Sequence, residues 1–299
     1  MSALLATISY PPIPIFEIGP LRLSLHGLMA ALGFLLGAMI ATREIRRRGF
    51  DAVKFQSCLT WALIGALLGA RYLTAPAQLM AGASFLQVLN PIGGNFSIMG
   101  GFIGGIAGGL FKARQYKLPA WPLLDAASFG LALGTVVGRV GDLAIVEHLG
   151  RATTAWFGYG IRPGYDVAPQ HDALECTVAG PDGFCGIYHH VALYDLLGAA
   201  VLLGVLFFLS RKMKLHYGQL FAVWMGWYGL QRFLLDHLRY GMGDAVIGQY
   251  TWNQLTGLAA FVAAVILFWW LGRNKKIVSA EHDRDLYGAL PPPTAVATG

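Results

Sequence analysis

Apolar residues gather along this chain into long runs separated by short polar and basic clusters. A segment needs roughly 17–25 residues to cross about 30 Å of hydrocarbon as a helix. Runs of that kind are predicted at 21–41, 56–75, 96–111, 123–146, 191–209, 218–236 and 251–272, the third being the shortest. The pattern predicts an all-α polytopic membrane protein with about seven transmembrane helices, its membrane-embedded domain covering residues 1–276. Residues 152–190 are too many for a tight connection, and they carry Trp156, Tyr159, Tyr165 and four acids; they predict a small outer cap. Residues 277–299, ending LPPPTAVATG, have no apolar period and predict a disordered tail. GALLGAR (65–71) and GTVVGR (134–139) echo each other over too short a stretch to be a repeat.

Composition strengthens this reading. The chain is 56% hydrophobic, against roughly 45–50% apolar in soluble domains, and its mean hydropathy is +0.54. The net charge of +6 raises the question of nucleic acid, and the placement of the basic residues answers it. They follow alternate spans: Arg43, Arg46, Arg47, Arg48 and Lys54 after the first, Lys112, Arg114 and Lys117 after the third, Arg211, Lys212 and Lys214 after the fifth, Arg273, Lys275 and Lys276 after the seventh. Residues 76–95 have no Lys or Arg, and 152–190 have only Arg162. This is the positive-inside pattern. It puts the N-terminus outside and the C-terminus in the cytoplasm, requires an odd number of crossings, and leaves no role for nucleic acid. The first twenty residues place no basic group ahead of an apolar run, which disfavours a cleavable signal peptide.

Cys58 lies inside the second span, where a small soft side chain packs readily. Cys176 and Cys185 share the outer loop across a Gly/Pro/Asp turn; either a small disulfide loop or two free thiols fits the spacing. The glycine-dense stretch GGNFSIMGGFIGGIAGG (93–109) suits close helix packing, or a slot for part of a lipid.

The charges within the spans are the candidate chemistry. An ionisable group at bilayer depth costs about 2.5–3.5 kcal/mol on insertion scales, so it persists where it has a partner or a task. Arg71 ends the second span, Arg139 and Asp142 lie near the end of the fourth, and Arg232, Asp236 and His237 lie in the outer part of the sixth. Arg139 and Asp142 are three apart and Arg232 and Asp236 four apart, so each pair shares a helix face. Structural ion pairing is one explanation. Three arginines for two aspartates, before Glu147 is added, favour another: guanidinium forks match phosphate oxygens, so Arg139 and Arg232 could line a cavity for an anionic lipid head group.

The segment GRVGDLAIVEHLGR (138–151) resembles the signature of the prolipoprotein diacylglyceryl transferase family, Gly-Arg-x-Gly-Asn-Phe-x-Asn-Gly-Glu-x-x-Gly-Arg, at Gly138, Arg139, Gly141, Glu147, Gly150 and Arg151. Similar pieces follow the family's order: LHGLMAALGF in the first span, GARY ending the second, SIMGGFIGG in the third, HHVALYD entering the fifth and YGLQRFLLDHLR in the sixth. The resemblance covers roughly residues 21–272. It implies a seven-helix enzyme of the bacterial inner membrane that moves a diacylglyceryl group from phosphatidylglycerol to the lipobox cysteine of a prolipoprotein, releasing glycerol phosphate. It implies a catalytic set of Arg139, Arg232, Asp236 and Glu147, joined by His26 for the reason given below, and substrate contacts are expected at Arg139, Asp142, Gly150, Arg232, Arg71, Gly100 and Gly101. Its partners are phosphatidylglycerol, a prolipoprotein signal peptide with a lipobox, and the bilayer.

The departures bear on the chemistry. Where the family has Tyr-Gly in the first span this chain has His26 and Gly27; the Asn after Arg-x-Gly is Asp142; the Glu after the second arginine is Asp236. The His-Gly-Gly of the third span is Met99, Gly100 and Gly101, and methionine accepts no proton. A thiol's base must then lie elsewhere, and His26, with an ordinary pKa near 6.5, is the natural substitute. His148 and His237 are further candidates, and His189 falls where it could cap the fifth span. The histidines and cysteines show no compact metal-ligand spacing, the glycine clusters lack the Lys-Ser/Thr of a nucleotide loop, and no cofactor is called for. Two other readings use the same charges: a paralogue with another acceptor, and a lipid-binding protein or transporter without catalysis. Transporters commonly show paired repeats and broken helices, which are not evident here.

Overall fold

The apolar runs fold as the helices predicted, each within a few residues of its sequence bounds. A computed structural model describes residues 7–14, 16–18, 21–80, 82–89, 97–165, 179–239, 246–247 and 250–273. A short hairpin, β1 (Phe16–Ile18) and β2 (Leu21–Leu23), precedes α1 (Leu25–Arg47), so the first helix starts four residues later than its apolar run. There follow α2 (Ala52–Tyr72), the short α3 (Ala75–Met80) and α4 (Phe85–Leu89), α5 (Ile98–Gln115) and α6 (Ala120–Ala144). Strands β3 (Leu149–Ala152), β4 (Tyr159–Ile161) and β5 (Gly186–His190) lead to α7 (Val191–Lys212) and α8 (Gln219–Asp236). The pair β6 (Val246–Ile247) and β7 (Tyr250–Thr251) introduces α9 (Trp252–Arg273).

The protein is an all-α polytopic membrane protein. Five helices, α1, α2, α6, α7 and α9, are long and apolar enough to cross a bilayer. The segments predicted as the third and sixth crossings are also helices, α5 and α8, each 18 residues long. They are not among those five: glycines and the Lys112, Arg114 and Gln115 end dilute the first, and Gln219, Gln231, Arg232 and Asp236 dilute the second. Polar groups punctuate the helices as expected. Asp51 caps α2 by accepting hydrogen bonds from the Val53 and Lys54 amides, and Ser97 caps α5 through the Gly100 amide. Basic residues occupy the last turns of α1, α5, α7 and α9, where they complement the negative helix end.

The chain divides into two compact units, one of Met1–Met39 with Ala127–Lys275, the other centred on Ile40–Ala126. In the second, α2 and α5 meet through glycine. A Cβ on Gly100 would collide with the Gly69 carbonyl, and one on Gly104 with that of Gly65. The glycine-dense stretch is thus a backbone-to-backbone contact, as small residues provide in membranes. A core of Ala41, Ile45, Phe55, Cys58, Ala113, Leu123 and Ala126 completes this unit.

In the first unit α1 and α6 approach along a similar stripe, Gly33 and Gly37 facing Gly134 and Gly130. The region predicted as an outer cap holds a three-stranded sheet of order β3-β5-β4. Its core is Val146, Leu149, Tyr159, Ile161 and Tyr188, packed by Ile8, Tyr10 and Tyr165. Cys185 is disulfide-bonded and Cys58 is a buried free thiol; Cys176 lies outside the described residues, as does the predicted tail at 277–299.

Candidate active site

The C-terminal ends of α6 and α8 meet the N-terminal ends of α1 and α7 in a cluster of ionisable side chains, of which Asp142 and Asp236 are buried. Gly141 makes the first junction. A Cβ there would lie 2.7 Å from the His26 Cα and 3.0 Å from the Leu25 carbonyl oxygen, so only glycine lets α1 come this close to α6. At that contact His26 Nδ1 hydrogen-bonds Asp142 Oδ1. Glu147 Oε2 stands 3.8 Å from the same nitrogen. The turn carrying Glu147 is strained: Val146 and His148, on either side, both adopt left-handed backbone, at φ +54° and +63°. For residues with a Cβ this costs about 1–2 kcal/mol each, a kind of outlier that gathers at functional sites.

Arg139 is held on two sides. Its Nη1 bonds Asp142 Oδ2 within α6, and its Nη2 pairs with Asp195 Oδ2 on α7 at 2.5 Å. Asp195 is braced in turn: Gln231 Nε2 donates to its Oδ1 at 2.6 Å, and Trp227 Nε1 donates to Gln231 Oε1 at 2.7 Å. One polar chain therefore runs from Trp227 on α8 through α7 and α6 to His26 on α1.

The other side of the cluster has surplus positive charge. Among the described residues Arg232 makes no hydrogen bond or salt bridge. Asp236, four residues on, does not pair with it; Asp236 accepts the Thr251 hydroxyl and lies 3.8 Å from Arg239 Nε. That Nε is buried without a hydrogen-bond partner among the described residues. Burial, and then the facing charges of Arg232 and Arg139, push the Arg239 pKa down to about 10. Burial and Arg239 also push His148 down to about 4, so it is neutral at physiological pH. Three guanidinium groups thus converge, one satisfied by two carboxylates and two undersupplied with anionic partners. Such a constellation suits an anion.

Gly150 aligns this side. The Arg151 amide donates to the Leu238 carbonyl at 2.7 Å, and a Cβ on Gly150 would collide with that carbonyl oxygen and meet the His189 Cβ at 3.0 Å. The bare backbone at 150 lets the chain carrying Arg239 lie against β3.

The sequence model of the family described as prolipoprotein diacylglyceryl transferase matches residues 14–270 of this chain. The chain belongs to the prolipoprotein diacylglyceryl transferase family. Curated relatives named phosphatidylglycerol–prolipoprotein diacylglyceryl transferase include one from Thermus thermophilus, 28% identical over 87% of this chain and 98% of its own length. Those from Bacillus cytotoxicus and Halalkalibacterium halodurans are 28% and 25% identical, over 84% and 89% of this chain and 88% of their own length in each case.

Of the positions the family resemblance singles out, His26, Arg139, Asp142, Glu147, Gly150, Arg232 and Asp236 all lie in the first unit. Arg71, Gly100 and Gly101 belong to the second. Arg71 is buried and donates to the Gln87 and Val88 carbonyls, each at 3.0 Å, bracing the α3–α4 segment. Gly100 packs on Gly69, and a Cβ on Gly101 would make only ordinary contact with Ala70. Two charged members of the site were passed over in the sequence reading, Asp195 and Arg239. Both stand inside motifs quoted above, HHVALYD and YGLQRFLLDHLR. Their signal is a charge in an apolar surrounding at or just beyond a helix end.

His237 contacts Gln254, stacks on Tyr250 and packs at a tilt against Phe233, a packing role. His189 reaches the Tyr194 hydroxyl at 3.2 Å, in the first turn of α7. The sequence showed no metal-ligand spacing, yet folding brings ligand atoms of His26, Asp142 and Glu147 within 4.8 Å of one another. Arg139, bonded to Asp142, opposes a cation there.

Proposed function

We propose that this protein transfers the diacylglyceryl group of phosphatidylglycerol to the lipobox cysteine thiol of a prolipoprotein at the outer face of the bacterial inner membrane, releasing glycerol phosphate. The observation that carries the reading is the convergence of Arg139, Arg232 and Arg239 at one end of the helices, with Arg232 unpaired among the described residues. In the reaction a sulfur–carbon bond forms at the glycerol carbon while the bond from that carbon to a phosphate oxygen breaks. The electron pair leaves on the phosphate, which passes from a singly charged diester to a doubly charged monoester, and the thiol proton is released. Charge therefore grows on phosphate, and fixed cations aimed at it lower the barrier.

Arg139 and Arg232 clamp the phosphate, as the resemblance implies, with Arg239 as a third cation. Arg232 and Arg239 have donors to spare; Arg139, already bonded to Asp142 and Asp195, completes the field and is held rigid by them. Asp236 fixes the α8 end through Thr251 and keeps Arg239 oriented. Glu147 and Asp142 lie on the side of His26, which takes the thiol proton. Arg71, Gly100 and Gly101 serve the packing of the second unit, and no substrate contact is proposed for them. The N-terminus and the charged end lie outside and the C-terminus inside, with α5 and α8 completing seven crossings.

The test is a reconstituted assay with phosphatidylglycerol vesicles and a lipobox peptide. Wild type should convert the peptide thiol to a thioether with stoichiometric glycerol phosphate. Arg232→Ala should lower kcat/KM by about 10²–10³, the scale of losing one charge-stabilising donor. Undiminished transfer by Arg232→Ala, or phospholipid turnover without peptide modification, would overturn the assignment, the latter in favour of another acceptor.

A further inference from the structure

We infer that His26 and Asp142 form a catalytic dyad in which Asp142 is the positioning residue: it holds the Nδ1 hydrogen of His26 so that Nε2 accepts the proton of the attacking thiol. The inference rests on the transferase reading above and assigns its proton acceptor a partner.

Four features of the structure carry it. The Nδ1 of His26 meets Asp142 Oδ1, with Glu147 Oε2 3.8 Å away. An ionised carboxylate only accepts hydrogen bonds, so Nδ1 carries the hydrogen and the lone pair lies on Nε2. The two groups are differently placed: the His26 side chain is 47% exposed and that of Asp142 only 2%. A buried anion behind an accessible imidazole is the arrangement that fixes ring and tautomer while leaving the far nitrogen free for a substrate. Asp142 is itself immobilised, through Arg139 to Asp195 and Gln231. Finally, the missing Cβ of Gly141 is what brings the His26 backbone within reach. Positions 26 and 142 also depart together from the family signature, which has tyrosine and asparagine there, so the pair is a joint feature of this chain.

The atoms balance simply. The S–H bond breaks with its proton moving to Nε2, the S–C bond forms as the C–O bond breaks, and the imidazolium hands its proton to the departing glycerol phosphate or to water. Asp142 stays ionised throughout and stabilises the transient imidazolium. A divalent cation on the same three side chains would use Nδ1 as a ligand and abolish this hydrogen bond; the two arrangements exclude one another.

The experiment uses the full-length protein in phosphatidylglycerol vesicles with a lipobox peptide. His26→Ala should lower kcat by about 10²–10⁴, the scale of general-base catalysis, with KM for phosphatidylglycerol little changed. Because the imidazole is exposed, millimolar free imidazole should restore His26→Ala at least tenfold. Asp142→Asn, nearly isosteric, should lower kcat with KM unchanged, and the double variant His26→Ala/Asp142→Asn should gain nothing from imidazole. A merely structural Asp142 would leave that rescue intact, which would overturn the proposal. So would a wild-type kcat in His26→Ala, or activity abolished by a chelator and restored by zinc or magnesium, which would put a metal in place of the dyad. If Asp142→Asn proves unstable, Asp142→Glu keeps the charge and should retain part of the rescue; its failure to do so in a folded protein, judged by an unchanged Tm, counts against the dyad. Wild-type protein that transfers nothing defeats the transferase reading itself, an outcome separate from all of these.

Discussion

Arg139 is bonded by Asp142 from its own helix and by Asp195 from the next, and the second bond is the one that ties helices together. Removing one partner of a buried ion pair leaves the other charge uncompensated, at a cost of about 3–5 kcal/mol. Asp195→Ala is therefore expected to lower the Tm in detergent and to cost at least tenfold in kcat/KM. Gln231→Ala, which removes only a neutral brace on Asp195, should be milder in both. Thermal unfolding with the peptide-transfer assay reads the two; equal effects would mean that Gln231 and Asp195 act separately. Gly150→Ala is a second test at this scale. A methyl group there drives into the Leu238 carbonyl and so displaces Arg239. Transfer should fall about as far as in Arg239→Ala, and the two losses should not add, because both act on one guanidinium.

The cap is built from elements too short to stand alone, and its N-terminal strap joins them to α6. The amide of Ile8 donates to the Gly158 carbonyl and the Ile13 amide to that of Ala144. The Tyr10 hydroxyl donates to the Leu143 carbonyl at 2.7 Å and lies 2.9 Å from His190 Nε2. His190, at the junction of β5 and α7, is 1% exposed. Burial pushes its pKa from 6.5 to about 4 and that of Tyr10 up to about 12, so both are neutral across the physiological range. Lowering pH through 6.5 protonates the unfolded chain before the folded one, so the stability due to a neutral His190 is complete above that value and is lost progressively toward pH 4. The Tm should fall over this window, and His190→Gln should flatten the fall whatever it does to the Tm at neutral pH. In the other unit the helices themselves are the test. Gly104→Val puts a branched side chain against the Gly65 carbonyl; it should separate α2 from α5 and lower the yield of folded protein, while Gly82→Ala, with nothing near the added methyl, should give a far smaller loss set only by its positive φ.

Across the whole molecule, what the sequence made legible was whatever one helix decides for itself. Every predicted span is a helix, because an apolar run of that length has no other way to satisfy its backbone in hydrocarbon. Charge partners chosen between helices were not legible: Asp195 and Arg239 sit more than fifty and a full hundred residues from Arg139, and no spacing rule reaches that far. The glycines at 100 and 104 illustrate the same limit, since whether a bare Cα meets a lipid or another helix depends on a partner that only folding supplies. The number of crossings is the property on which the site's location most depends. Five helices qualify by length and hydropathy, while the basic clusters require α5 and α8 to cross as well. The two counts place the α5–α6 and α7–α8 connections on opposite sides. With seven crossings and an outer N-terminus, Ser84→Cys and Phe157→Cys are outside whereas Gln115→Cys and Met213→Cys are inside; with five, Ser84→Cys, Gln115→Cys and Met213→Cys are outside and Phe157→Cys is inside. All four positions are exposed, and Cys58 is buried while Cys185 is disulfide-bonded. A membrane-impermeant maleimide applied to intact spheroplasts should therefore label Ser84→Cys and Phe157→Cys at once, and Gln115→Cys and Met213→Cys only after permeabilisation. Immediate labelling at Gln115→Cys would take α5 out of the membrane and, with it, the positive-inside argument that sets the charged cluster at the outer face.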